Sequence, residues 1–258
     1  MERTERYAAC DQASKILLSW KILLAVVARH FFREELEGWA LEDIACTLIG
    51  TQTDEQGKPI RNENPILEYP TTELSITGHT PRIPDLLFSL LVPKEDGTFE
   101  PVMINIEMQR NPNPGYDLSR RAKIETGRIF VWQDVRFFQV QNCSEARRVL
   151  SLWIMVNPNK VPGSSIRTYE TFEVAQEADG AEKVKRLGFF NKDNFEQTTF
   201  IRVGRSDRPG CHGIIRYLGT LSGEEYSASE KCRFLESEYG IRPEHGMRKV
   251  ADNHVFTW

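Results

Sequence analysis

The chain has 258 residues, of which 40% are hydrophobic and 27% are charged, so it can fill the core of one large domain. Lys and Arg number 33 against 37 Asp and Glu, which gives a formal net charge of −4. This balance excludes a protein that coats nucleic acid by bulk positive charge, although basic residues can still be concentrated locally. The five scattered cysteines lack Cys-x-x-Cys spacing, which argues against a disulfide framework and favours free thiols in a reducing cytoplasm.

The most apolar segment, 16–27, is interrupted by Lys21. It is shorter than the roughly 20 apolar residues that a membrane span needs. Acidic residues precede it and no small-residue cleavage site follows, so no signal peptide is predicted. We expect a cytoplasmic protein without membrane association, in which 11–37 forms a helix that ends before Gly38. A second helix is predicted over 41–49.

After a polar loop, three strand-like runs separated by turn signals follow, at 73–77, 85–92 and 102–109. Asp96-Gly97 lies between the last two and predicts a hairpin. A helix is expected from Asp117, as its N-cap, to Trp132.

The continuous apolar run 148–156 has the length of a strand and predicts a buried central strand. Further strands are expected at 166–174 and 198–203. Ser227 and Glu230 form a capping-box pattern at the start of a C-terminal helix. The order of elements indicates an α/β or α+β fold.

Strand alternation divides the side chains of 102–109 between two faces. The even-numbered residues are apolar and share one face, whereas Glu107 and Gln109 share the other. If the two strands pair through the hairpin turn, Asp85 at the start of one lies near Glu107 at the end of the other. Converging carboxylates repel unless a cation or a proton lies between them. Mg²⁺ takes such oxygen ligands and can activate a water and polarise a phosphate, and Gln109 could hold that water.

This pattern resembles the PD-(D/E)XK nuclease superfamily and, more narrowly, the recombination-promoting nucleases, also described as PD-(D/E)XK nuclease family transposases. The likeness extends over most of the chain. The segments that carry it are Pro84-Asp85, INIEMQR at 104–110, Pro114-Gly115-Tyr116, Arg120-Arg121, LSLWIMVNP at 150–158 and EKCRFLESEYGI at 230–241.

The resemblance implies an α/β fold with a restriction-endonuclease-like core, in which helices flank a central mixed sheet. This core would span residues 1–212, and a helical C-terminal extension would span 213–258. The resemblance also implies a Mg²⁺ or Mn²⁺ ion held by Asp85, Glu107 and the backbone carbonyl of Met108. Gln109 would be the third catalytic residue, in the position where the wider superfamily has a lysine.

The function that the resemblance implies is that of a bacterial, cytoplasmic, Mg²⁺-dependent endodeoxyribonuclease. It would hydrolyse phosphodiester bonds in DNA, and the breaks would promote recombination or mobile-element transfer. The alternative is a nuclease-fold protein that binds DNA or a protein partner with little or no turnover. Gln109 in place of lysine and the acidic pI of 5.8 keep this alternative open. The oligomeric state is also open, and it includes a homo-oligomer.

The segment 110–150 contains eight Lys or Arg against four Asp or Glu, so it could present a patch to phosphates. Arg110, Arg120 and Arg121 are the candidate DNA ligands, and the resemblance favours Arg121 as the one that faces the site. A second interpretation fits equally well. Four side chains at i,i+3 and i,i+4 spacing could pair along one exposed helical face, namely Asp117, Arg121, Glu125 and Arg128.

Overall fold

The computed structural model describes residues 18–49, 66–67, 74, 83–109, 114–134, 146–156, 163–176, 181–204, 213–223 and 226–243. Within these ranges the helices are α1 (Lys21–Phe31), α2 (Leu41–Thr47), α3 (Leu118–Gln133), α4 (Gly213–Ser222) and α5 (Ala228–Tyr239). The strands are β1 (Leu48–Ile49), β2 (Leu86–Pro93), β3 (Phe99–Gln109), β4 (Val149–Val156), β5 (Ser165–Tyr169), β6 (Thr171–Gln176), β7 (Glu182–Leu187) and β8 (Glu196–Val203).

Six strands form one mixed sheet in the order β1-β2-β3-β4-β8-β5. The central strands β3, β4 and β8 run parallel, and each of the other pairings is antiparallel. β6 and β7 form a separate two-stranded sheet. The expected α/β class, with a mixed sheet flanked by helices, is confirmed. The carboxyl ends of three parallel strands therefore meet at one edge, where open α/β sheets commonly bind ligands.

The hairpin predicted around Asp96-Gly97 is confirmed. β2 and β3 pair along the whole of β2, and Leu86 at the start of β2 lies opposite Ile106 near the end of β3. The Asp96 carboxylate accepts a hydrogen bond from the Thr98 N–H at 2.9 Å, which closes the turn locally. Gly97 has φ 79°, a left-handed conformation that glycine adopts without a steric cost. The turn therefore fixes the register that brings the start of β2 to the end of β3.

Helices cover both faces of the sheet. On one face the main core includes the even-numbered residues of β3, as strand alternation predicts, together with residues of α1, α4 and α5. On the other face α3 covers two smaller clusters, which contain Met103 of β3 and Trp153 of β4. The odd-numbered residues of β3 thus lie on the α3 side, and this is the side that carries Glu107 and Gln109.

Four sequence-based boundaries are wrong. The predicted helix 11–37 is not continuous, because Ser19 lies in a turn and Trp20 forms a β-bridge with Ile66, so α1 begins at Lys21. α1 ends at Phe31 rather than near Glu37, because the chain turns there and buries Phe32 and Leu36. No Gly or Pro marks this turn in the sequence, so local patterns did not predict it. The segment 41–49 is helical only to residue 47, and its last two residues form β1. The run 166–174 belongs to two different sheets, since β5 pairs with β8 whereas β6 pairs with β7.

The last helix, α5, begins and ends as its caps predict. Ser227 and Glu230 form the capping box of α5, and Gly240 ends this helix at φ 69°. Both α4 and α5 contribute buried residues to the main core, including Tyr217 and Leu235. The division at residue 213 stays a prediction. No helix in the described part of the chain is long and apolar enough to cross a membrane.

Candidate metal centre

Asp85 lies directly before β2, at the carboxyl end of β3. Its Oδ2 accepts a hydrogen bond from the backbone N–H of Met108 at 2.8 Å. The side chain is half-buried, so the bond is partly shielded from water. This contact ties the start of β2 to the end of β3 and fixes the position of one carboxylate.

Glu107 precedes Met108 on β3 and is also half-buried. Leu86 pairs with Ile106 at the start of β2, so Asp85 and Glu107 are the next residues of the two strands beyond the last paired position. The hydrogen bond from the Met108 N–H holds the Asp85 carboxylate at the backbone of the residue that follows Glu107. Both acidic residues therefore lie at the open end of the hairpin.

The Met108 carbonyl completes a set of three oxygen donors. In a strand, the N–H and C=O of one residue point to the same neighbouring strand. The Met108 N–H points towards Asp85, so the Met108 carbonyl faces the same side. Pro84, the residue before Asp85, has no N–H that could donate to that carbonyl. Two carboxylates and a backbone carbonyl fit a hard divalent cation.

The size of this donor set indicates which metal it suits. Within the described ranges, no group of three or more His, Cys, Asp or Glu side chains comes together in a way that could hold a metal ion. Structural zinc sites take four nitrogen or sulfur ligands, which this set does not supply. Mg²⁺ usually keeps several waters and is held by one or two carboxylates plus substrate phosphate. The donors at the end of β3 thus fit Mg²⁺ or Mn²⁺.

Gln109 ends β3 on the same face as Glu107 and lies opposite Met155 of β4. Its amide offers two N–H donors and one acceptor but no positive charge. The residue is therefore placed where it could orient a water near the two carboxylates. It would not supply the charge that a lysine brings to a phosphate.

The candidate DNA ligands are in different environments. Arg110 lies outside the described residues. Arg120 has a side chain that is 86% exposed, and its Nε is 3.6 Å from the Asp117 carboxylate. Arg121 lies inward, with its Cζ 5.5 Å from the ring centre of Trp153. Trp153 is the β4 partner of Glu107, so Arg121 lies over the sheet face that carries the candidate metal ligands.

The row of ion pairs expected on α3 forms in part, but on the other face of the helix. Arg121 Nε and Arg128 Nη1 lie 3.9 and 3.6 Å from the two carboxylate oxygens of Glu125. Glu125 is only 6% exposed, so the prediction of a solvent-exposed row is wrong. The outward side of α3 instead carries Ile124 and Val131, which are 58% and 43% exposed. The i,i+3 and i,i+4 spacing shows which residues of the helix can pair, but it does not show which side of the helix is buried.

Asp117 is the N-cap of α3, as predicted, and it does not pair with Arg121 in this row. Its Oδ1 accepts hydrogen bonds from the Ser119 and Arg120 N–H groups at 2.9 and 3.1 Å. The Ser119 hydroxyl, followed by the Arg120 N–H, holds the pKa of Asp117 below its ordinary value. The amino end of the helix therefore has its own anion already.

An open cleft of about 480 Å³ lies beside the candidate metal centre, between the amino end of α3 and the sheet. Sequence reasoning missed the residues that line it on β5 and β8, which include Arg167, Tyr169 and Arg202. Met155, the β4 partner of Gln109, also lines the cleft. The cleft therefore begins one strand away from the candidate metal ligands. The i,i+2 spacing of Arg167 and Tyr169 within a predicted strand is the signal that could have identified it.

The chain matches no protein-family model, no curated protein and no solved structure. The likeness to the PD-(D/E)XK nucleases accordingly rests on the sequence motif, and the function argued from it stays a proposal.

Proposed function

We propose that this chain is a divalent-metal-dependent DNA endonuclease with a core of the PD-(D/E)XK type. The observation that carries the proposal is the hydrogen bond from the Met108 N–H to the Asp85 carboxylate. This bond holds Asp85 at the carboxyl end of β3, next to the residue that follows Glu107, where three parallel strands end. A hairpin that leads into parallel strands, with the acids at its open end, also supports a core of this type.

In this proposal the side chains of Asp85 and Glu107 and the carbonyl of Met108 hold one Mg²⁺ or Mn²⁺ ion. The ion, when bound, supplies Lewis acidity at the scissile phosphate and lowers the pKa of a bound water. The Met108 N–H orients Asp85 by occupying one of its oxygens, as outer hydrogen bonds commonly do for metal ligands. Gln109 orients the attacking water through its amide.

A second function is favoured by one observation, the neutral Gln109 in the position where the superfamily has a lysine. Without this positive charge the attacking water and the phosphate are stabilised less in the transition state. The alternative is a protein that keeps the metal and binds DNA but has no useful turnover. One assay distinguishes the two functions, because only an endonuclease nicks DNA.

The assay is nicking of supercoiled plasmid by the full chain in Mg²⁺, Mn²⁺ or EDTA. We expect wild type to form open circles in either metal and none in EDTA. Asp85→Asn and Glu107→Gln should each lower the rate about 100-fold or more, because metal catalysis contributes several kcal/mol. The amide at Asp85 keeps an oxygen for the Met108 N–H, so the loss reports on charge rather than on the local fold.

The matched control is Glu173→Gln, an exposed carboxylate on β6 outside the site, which should nick at the wild-type rate. Equal nicking by wild type, Asp85→Asn and Glu107→Gln would contradict the proposal and indicate a contaminant or another site. Metal and DNA binding without nicking would establish the second function.

A further inference from the structure

The cleft beside the metal centre contains two guanidinium groups on neighbouring strands. Arg202 on β8 lies opposite Ser165, and Arg167 on β5 lies opposite Phe200. Arg167 and Arg202 are therefore diagonal neighbours on one face of the sheet, at Cα positions roughly 7–8 Å apart. Neither forms an ion pair with any residue in the described part of the chain.

Two like charges at this separation repel each other. Because Arg202 is half-buried, solvent screens this repulsion less than it would between two fully exposed side chains. An anion placed between the guanidiniums removes this cost and forms charge-assisted hydrogen bonds with both. The carboxylate that lines the same cleft, Asp117, is already engaged by two backbone N–H groups, by the Ser119 hydroxyl and by Arg120. Among the described residues, the carboxylate that lines the cleft is thus already engaged, and the two arginines fit an added anion.

Aromatic rings adjoin the arginines in the same cleft. Tyr116 and Tyr169 line the cleft and are 47% and 48% exposed. Tyr169 packs edge-on against Phe200, with ring centres 5.8 Å apart, so the orientation of its ring is fixed. Fixed, half-exposed rings next to arginines are the combination that binds nucleic-acid strands whose bases are unpaired.

We propose that the cleft binds an unpaired DNA strand next to the scissile phosphate, with its phosphate on Arg167 and Arg202 and a base on Tyr169. This inference rests on the proposed nuclease function, which it extends from DNA in general to a single-stranded or frayed substrate. Arg202 lies two strands from Gln109, which is about 10 Å at the usual strand spacing. One strand of DNA can therefore reach both the cleft and the metal ligands. A paired base has no face available for Tyr169, so a duplex would use the arginines alone.

Binding in EDTA separates this inference from the metal chemistry. A fluorescently labelled 12-nucleotide oligothymidine and a duplex of the same length are titrated with the full chain, and the anisotropy is followed at several salt concentrations. Wild type should bind the single strand more tightly. Tyr169→Leu should weaken single-strand binding about tenfold and leave duplex binding unchanged, because stacking on one ring contributes at about this level.

The double variant Arg167→Gln with Arg202→Gln should also weaken single-strand binding at least tenfold. It should lower the log–log salt slope by about 0.7, since the two arginines share one phosphate and each phosphate contact on a single strand contributes about 0.7. The control is Arg233→Gln, an exposed arginine on α5, which should change neither quantity. Melting curves check that all variants stay folded.

An unchanged slope in the double arginine variant would overturn the inference. Equal losses for single strand and duplex in Tyr169→Leu would also overturn it, because the base contact would then be absent. These outcomes are independent of nicking. A chain that binds the single strand through the cleft but fails to nick would contradict the proposed function and leave the cleft assignment in place.

Discussion

The two ends of the parallel strands β3, β4 and β8 use similar polar side chains in opposite ways. At the amino end, Arg148 donates from Nε to the Glu100 carboxylate at 2.7 Å. Its other N–H groups donate to the carbonyls of residues 189, 190, 191 and 194 in the loop before β8. At the carboxyl end, Arg167 and Arg202 line an open cleft and form no ion pair with a described residue.

This difference separates side chains that maintain the fold from side chains that are available to a ligand. Burying a charge is costly unless it is paired and hydrogen-bonded, and Arg148 at the amino end meets that condition. At the carboxyl end, Arg167 is exposed and Arg202 is half-buried, and both line the cleft, where they can still bind an anion such as a phosphate. The predictions below test this contrast.

The largest effect is expected at the amino end. Arg148→Met keeps an unbranched apolar stem but removes the guanidinium, so Glu100 retains only Lys94, at 3.2 Å, and four loop carbonyls lose their donor. Removing one partner of a buried ion pair typically costs about 3–5 kcal/mol, which for a chain of this size lowers the melting point by about 6–20 °C. Thermal unfolding followed by circular dichroism measures this shift.

The matched control at the carboxyl end is Arg167→Met, the same change at an exposed arginine. Its melting point should stay within about 2 °C of wild type, since surface substitutions are usually within ±0.5 kcal/mol. Equal shifts of the melting point in Arg148→Met and Arg167→Met would show that the two ends of the parallel strands do not differ in this way.

An intermediate effect is expected for Arg121, which lies between the two environments. Its side chain is 27% exposed and its partner Glu125 is buried, so the free energy of unfolding should fall by about 1–2 kcal/mol in Arg121→Ala. Arg120→Ala, next to it but 86% exposed, should have the melting point of wild type. An Arg121→Ala variant with unchanged stability, whose DNA salt slope falls by about 1, would show instead that Arg121 contacts phosphate.

A smaller effect, on the reaction alone, is expected at Gln109. Gln109→Ala should lower the nicking rate by up to about tenfold, or about 1.4 kcal/mol, without abolishing metal binding. Gln109→Lys should nick at least as fast as wild type, because the ammonium adds charge near the phosphate. An alanine variant as fast as wild type would show that Gln109 has no part in the reaction.

Local patterns identified much of this structure. The hairpin at Asp96-Gly97, the alternation along β3 and the caps of α3 and α5 are all properties of a few adjacent residues, and all are confirmed. The pairing of β2 with β3 then followed from the turn. The position of Asp85 at the end of β3, shown by its hydrogen bond with the Met108 N–H, needed nothing beyond that register.

The features that sequence reasoning missed depend on contacts between distant segments. No sequence pattern near Arg148 predicts that its guanidinium donates hydrogen bonds to a loop about 40 residues later in the chain. The cleft needs α3, β4, β8 and β5 together, so its arginines have no shared motif in the sequence. The burial of Glu125 depends on which side of α3 faces the sheet, and helical spacing alone does not determine that side.

The metal site at the end of β3 is tested most directly by the melting point in Mn²⁺ compared with EDTA, which requires no turnover. An ion at about ten times its Kd stabilises the folded state by about 1.4 kcal/mol, so the melting point of wild type should rise by about 3–6 °C. Asp85→Asn keeps an oxygen for the Met108 N–H but loses the charge. It should melt near wild type in EDTA and show little or no rise in Mn²⁺. An equal rise in both proteins would mean that the ion binds elsewhere.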